Sequence, residues 1–278
     1  MKKFAATATA LALLCAAPLA AQATPESDLK SFREYYMKQF PGVPLNEFGN
    51  GVYAIDADAR SSWEAIEEFP PYDDELERGK KLFETPFANG KTYASCFPNG
   101  GKGIRQNYPY FDAKSGNVKT LEAEINECRV KNGEQPLPGK KGDIAQISAY
   151  MASTSKGKKF NIKVPNDPRA LAWYEKGKAL FYAKRGQLNM ACADCHINNV
   201  GRRVRTETLG PALGHPTHFP VYRLQWGYLG TLQHRYAGCN EQVRAKAFKD
   251  QGPEYTALEY FETYMSNGIE VNGPSSRK

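Results

Sequence analysis

The chain has 278 residues, of which 24% are charged and 41% hydrophobic, enough for two small domains with cores of their own. Its 37 lysines and arginines outnumber 30 acidic residues, for a formal charge of +7. So mild an excess, with no basic run, excludes a nucleic-acid binder and suits a small anion or an acidic protein partner.

Residues 1–23 read as a secretory signal. Lys2 and Lys3 form its charged start, Ala5 to Ala16 its apolar middle, and Ala21-Gln22-Ala23 a small-residue cleavage site. The apolar run is too short to span a bilayer, and no later segment is apolar enough to do so. Leu14 is too bulky to precede a lipoprotein cysteine, so Cys15 leaves with the signal. Without Lys2 and Lys3 the balance is 35 against 30, a charge of +5. A periplasmic protein is expected, in a compartment where thiols oxidise.

Residues 24–70 form a lead-in, in which Phe32, Tyr35, Tyr36 and Phe40 mark one helix ended by Pro41-Gly42. A first domain is expected over 71–160. Asp73 and Asp74 cap a helix through Leu76, Gly79, Leu82 and Phe83, and a Gly/Pro loop then holds Cys96. Thr120 to Val130 places Leu121, Ile125 and Cys128 on one helical face, and Asp143 with Gln146 reads as the capping box of the next helix. Residues 157–165 read as the linker. A second domain, 161–278, opens at Asn166-Asp167-Pro168 with a helix carrying Trp173, Gly177, Leu180 and Phe181, and closes with a helix from about Glu254 to Met265.

Between those helices lies Cys192-Ala193-Asp194-Cys195-His196, expected in a loop. Two thiols three apart can each add across a porphyrin vinyl group, and the following histidine then sits under the iron. A zinc ribbon would need a second cysteine pair at like spacing, and a thioredoxin-type disulfide would need a βαβ setting. Neither is present. One covalently bound haem c is expected, with Cys192, Cys195 and His196 holding it and the carbonyl of the Gly210-Pro211 loop orienting the histidine.

The two halves repeat one another. Glu77-Arg78-Gly79-Lys80-Lys81-Leu82-Phe83 matches Glu175-Lys176-Gly177-Lys178-Ala179-Leu180-Phe181, and Tyr93-Ala94-Ser95-Cys96-Phe97 matches the haem motif. Thr120 and Cys128 match Thr231 and Cys239, and Tyr150-Met151 is paired with Tyr264-Met265. The fold expected is therefore mostly α, two tandem cytochrome c-like domains. The first lacks haem, because Tyr93 and Phe97 replace a thioether cysteine and the histidine. Cys96 and Cys128 are left close together without a haem between them, which predicts a disulfide.

Cys239 is then the leftover thiol. As sixth ligand of the iron it competes with Met190, Met265, His215, His218 and His234. The repeat favours Cys239, while His215 and His218 fall in a polar Gly/Pro loop and are expected to be exposed. His234, Arg235, Arg244 and Lys246 bring positive charge near the thiol, which favours a thiolate and attracts an anion. Arg235, four residues earlier, shares a helical face with it.

The repeat, the attachment motif in the second half and Arg235-Tyr236-Ala237-Gly238-Cys239 together resemble the SoxA family of SoxAX cytochromes over essentially the whole mature chain. The resemblance implies the one-haem type. It implies an L-cysteine S-thiosulfotransferase that couples thiosulfate oxidatively to a cysteine of the SoxYZ carrier, electrons leaving through haem. It makes Cys239 both an iron ligand and the active sulfur, often as a persulfide, gives Arg235 the substrate, and supplies a SoxX cytochrome subunit as partner. The alternative is a periplasmic electron-transfer cytochrome in which Cys239 has no catalytic role.

Overall fold

The structure, a computed structural model, describes residues 23–278, so the signal assigned to residues 1–23 lies outside it save for its last residue. Nine α-helices and seven short strands are found among the described residues. The helices are α1 Pro25–Gln39, α2 Ala57–Glu67, α3 Asp73–Glu84, α4 Leu121–Lys131, α5 Asp143–Ser153, α6 Pro168–Tyr182, α7 Cys192–His196, α8 Leu232–Gln242 and α9 Pro253–Met265. The strands are β1 Tyr110–Asp112, β2 Asn117–Lys119, β3 Arg203–Val204, β4 Glu207–Thr208, β5 Val221–Arg223, β6 Tyr228–Gly230 and β7 Ser275–Arg277. β1–β2 and β3–β4 are antiparallel pairs, and β5 lies between antiparallel β6 and parallel β7. No helix among the described residues is long and apolar enough to cross a membrane.

Each half is built on one close helix crossing. A Cβ added to Gly79 of α3 would lie 2.0 Å from the carbonyl oxygen of Gln146 on α5, and one on Gly177 of α6 would lie 2.0 Å from that of Ala257 on α9. A mid-helix glycine is costly in itself, and backbone approach is what it permits here. Phe83 meets Tyr150 at 5.3 Å between ring centroids, and Phe181 meets Phe261 at 5.6 Å. The last helix is therefore registered one turn earlier than the sequence match suggests. Tyr150-Met151 corresponds to Phe261-Glu262, not to Tyr264-Met265. The offset that separates Thr120 from Thr231 also relates β1 to β5, β2 to β6, and the left-handed glycines Gly103 and Gly157 to Gly214 and Gly268.

Some expected details differ. Asp73 and Asp74 lie inside the first turn of α3, where their charge faces the positive end of the helix, and the cap residue is Tyr72. The capping box at Asp143 does not form. Gly142 precedes α5, Asp143 pairs with Arg78 at 3.0 Å, and Gln146 donates to Glu75. The linker 157–165 is packed rather than loose, with Phe160 and Ile162 buried and Phe160 exchanging backbone hydrogen bonds with Gly268 and Ile269. The lead-in packs on the second half: Phe32, Tyr36 and Phe48 share a core with Tyr174, Phe181 and Phe261.

In the first half rings pack together at the positions that match the attachment motif. Tyr93 and Phe97 are buried with Phe83 and Phe87, and Tyr93 packs at 5.8 Å and 4.8 Å from those two. The Tyr93 hydroxyl accepts from Arg129 at 2.9 Å, so the buried phenol is satisfied. Cys96 and Cys128 form the expected disulfide across a Cα separation of 5.8 Å. Closing its loop, a sequence separation of 32 residues, stabilises the fold by about 4 kcal/mol on the chain-entropy account.

The halves meet over a buried pair of acids. Ser148 of α5 donates to Glu122 of α4 at 2.6 Å, and Gln233 of α8 donates to Glu259 of α9 at 3.0 Å, at corresponding positions of the repeat. Burial, then the Glu122 charge, pushes the Glu259 carboxyl up from 4.5 to about 8, while Arg105 and Gln233 oppose the shift. Between those values the folded chain holds a proton that the unfolded chain releases. Stability therefore falls as pH rises through this window. Glu259→Gln is expected to raise the melting temperature at pH 8.5 by roughly 4–8 °C, about 2 kcal/mol, and to change little at pH 4.5. Thermal unfolding at the two pH values measures it, and equal shifts at both would count against a titrating Glu259.

Candidate haem site

The attachment motif forms a single helical turn, α7, rather than a loop. Asp194 closes the turn by accepting from the Ala191 amide at 2.8 Å, and Asn199 donates to the Asp194 carbonyl. Helical spacing sets Cys192, Cys195 and His196 on one face. The three side chains line a cavity of about 360 Å³, within the range of small-molecule sites.

The His196 ring is held on its far side. Its Nδ1 meets the Gly210 carbonyl oxygen at 2.9 Å, the partner expected from the Gly210-Pro211 loop. Donation from Nδ1 leaves Nε2 with a free lone pair, which is the form a metal takes. Burial keeps the imidazole below its ordinary pKa, and the Gly210 bond only partly offsets this. The His196 backbone is anchored as well, since the Tyr36 hydroxyl from α1 and the Ala212 amide both donate to its carbonyl oxygen.

The cavity is also lined by a second element, α8. Thr231 caps it by accepting from the His234 amide, and its next turns carry Arg235 and Cys239, which both line the cavity. The rivals for the sixth position divide. Met265 is buried away from the cavity, and His234 is held against Trp226 at 4.4 Å and bonded to the Tyr228 hydroxyl. Met190, His215 and His218 do line it. Arg244 and Lys246, expected near the thiol, are not among the lining residues.

His215 and His218 are not exposed. Gly214, at φ +85°, turns the chain inward under the lead-in, where a Cβ would lie 2.3 Å from the Phe48 carbonyl oxygen. His215 then packs edge-on to His196, with ring centroids 4.3 Å apart, and its Nδ1 lies 3.5 Å from Glu262. Burial lowers the pKa of both histidines.

Two further lining residues went unnoticed in the sequence. Arg223 and Arg277 face one another in the β5–β7 register, so two guanidinium groups share one wall. Arg223 is 5% exposed and donates to Glu207 at 2.9 Å and to the Lys278 carbonyl at 2.7 Å. Burial, then the Arg235 charge, lowers its pKa. Arg277 stacks over Tyr53 and Trp63, and burial brings its pKa down to about 10. Lone arginines in short strands carry no spacing signal, so nothing in the sequence marks them.

The donor set fits a haem c. Two thiols and a histidine with Nε2 free converge on one cavity, with a third thiol and cations around it.

The chain is similar to several known proteins. Residues 78–160 match the family model of the SoxA/TsdA cytochrome c domain, so the match falls on the half without the attachment motif. The L-cysteine S-thiosulfotransferase subunit SoxA of Chlorobaculum thiosulfatiphilum is 57% identical over 257 residues, which is 92% of this chain and 89% of that protein. The SoxA subunit of Allochromatium vinosum is 55% identical over 92% of this chain and 91% of its own length. The crystal structure of SoxXA from P. pantotrophus superposes with a TM-score of 0.72 at 30% identity, covering 78% of this chain and 84% of that one. With identity above one half sustained over nine-tenths of its length, this chain belongs to the SoxA family of L-cysteine S-thiosulfotransferase subunits.

Proposed function

We propose that the chain carries one covalently attached haem c and couples thiosulfate to a cysteine of a SoxYZ carrier, in the periplasm and together with a SoxX cytochrome subunit. The observation that carries this reading is the convergence of Cys192, Cys195, His196 and Cys239 on one cavity, with Nδ1 of the histidine tied to Gly210. In this reading residues 71–160 are a haemless domain closed by its disulfide, and residues 161–278 are the haem domain.

Cys192 and Cys195 would hold the porphyrin as thioethers, and His196 and Cys239 would bind its iron. Bound there, haem supplies one-electron transfer. The overall reaction joins the carrier thiol to the outer sulfur of thiosulfate. One S–S bond forms, the thiol proton is released, and two electrons leave for the partner cytochrome. Cys239 would be the sulfur through which the transferred group passes, its thiol exchanging one S–S bond for another. Arg235, one turn away on α8, neutralises the sulfonate.

The test is the isolated protein itself. Its intact mass is expected to equal the chain without residues 1–23 plus a single haem, and its EPR spectrum to show a low-spin ferric haem whose signal changes in Cys239→Ala. Two haems per chain, or a signal indifferent to that substitution, would overturn the assignment.

A further inference from the structure

In the second half three polar side chains meet at the cavity wall. Glu262 on α9 accepts the hydroxyl of Tyr236 on α8, and its other oxygen lies 3.5 Å from Nδ1 of His215. The Glu262 side chain is only 3% exposed. His215 in turn stands edge-on to the His196 ring. No lysine or arginine pairs with Glu262 among the described residues.

The repeat supplies an internal control. At the same offset, the first half places Ile104, Ile125 and Met151 where the second has His215, Tyr236 and Glu262. Registration is fixed on both sides of each: Gly103 corresponds to Gly214, Thr120 to Thr231, and Ser155 to Ser266. All three first-half residues are buried, Met151 completely. This fold therefore closes with an apolar trio at that place. Setting a carboxylate there costs desolvation, even with hydrogen bonds to offset it. The half that accepts this cost is the half with the attachment motif.

We propose that Glu262 is a positioning residue for the haem, fixing His215 against His196 and placing a buried negative charge that favours ferric over ferrous iron. The inference rests on the reading that haem occupies this cavity. An electron added to the site meets the Glu262 charge in a medium of low dielectric, where Coulomb terms are large and axial and outer-shell groups set the potential. The Tyr236 hydroxyl tempers the charge by donating to it.

The experiment is a spectroelectrochemical titration of the holoprotein, with haem content and the low-spin spectrum recorded alongside. Glu262→Gln keeps the shape and removes the charge. Its midpoint is expected to rise by roughly the equivalent of a tenfold loss of ferric preference, about 59 mV for one electron. Tyr236→Phe leaves the carboxylate with one donor fewer, and its midpoint is expected to fall. A general loosening of the wall would not produce opposite signs. A Glu262→Gln midpoint equal to or below that of the wild type overturns the proposal. If that variant fails to load haem, Tyr236→Phe decides, and an unchanged or raised midpoint overturns it. A wild-type protein without haem would instead remove the cofactor reading beneath the inference.

Discussion

Cys239→Met is expected to keep its haem and lose its activity. Cys239 lines the cavity from α8, a different element from the α7 turn that carries Cys192, Cys195 and His196, so the substitution leaves the attachment chemistry untouched. A thioether still binds low-spin iron, but it has no proton to lose and forms neither a persulfide nor a disulfide. It also stabilises ferric iron less than a thiolate does, so the midpoint potential should rise. Coupling of thiosulfate to the carrier cysteine, followed by the mass of the carrier, is expected to fall at least roughly a thousandfold, as for other lost nucleophiles. Retained coupling in Cys239→Met would leave an electron-transfer cytochrome with a structural sulfur ligand, the alternative the sequence keeps open.

The second large effect falls on Arg235. It lies one turn before Cys239, and both reach the cavity. A sulfonate bound beside the reacting sulfur needs a cation in a site that excludes water, and loss of one such donor costs roughly 10²–10³ in rate. Arg235→Ala is expected to lower kcat/KM for thiosulfate by that factor, with the optical spectrum of the haem unchanged. Arg235→Lys should recover only part of it, because an ammonium lacks the two-pronged geometry that matches a sulfonate. Arg223 faces the same cavity but is tied to Glu207 and the Lys278 carbonyl, so it stands as background field rather than as a free arm. Steady-state kinetics with thiosulfate varied at fixed carrier measures the effect. Unchanged kcat/KM in Arg235→Ala would remove the arginine from the substrate site.

The parts of this molecule legible in the sequence are those fixed by spacing. The attachment motif, the i, i+4 relation of Arg235 to Cys239, the helices beginning at Thr120 and Asp167, and the Cys96–Cys128 disulfide depend on local geometry or on the repeat. What spacing cannot supply is the partner of a buried face. Phe32 and Tyr36 mark an apolar stripe on α1, yet nothing local says that it closes on His196. His215 and His218 misled for a related reason. A glycine and proline setting is polar in composition, but left-handed Gly214 and the lead-in above it turn the loop into wall. The pairing of Tyr150-Met151 with Tyr264-Met265 rested on identity, and it failed because the helix crossing sets Met151 against Glu262, a residue of different chemistry.

The anchoring of α1 bears on the order of assembly. Tyr36 reaches His196 across 160 positions, Tyr174 reaches back to Asp28 across 146, and Arg33 meets Asn267 across 234. A ribosome delivers this helix first, yet the groove it fills is finished only when the opposite terminus arrives. Until then the His196 carbonyl lacks the Tyr36 hydroxyl that holds it. Such distant contacts also form late, so the first helix made is among the last to be fastened.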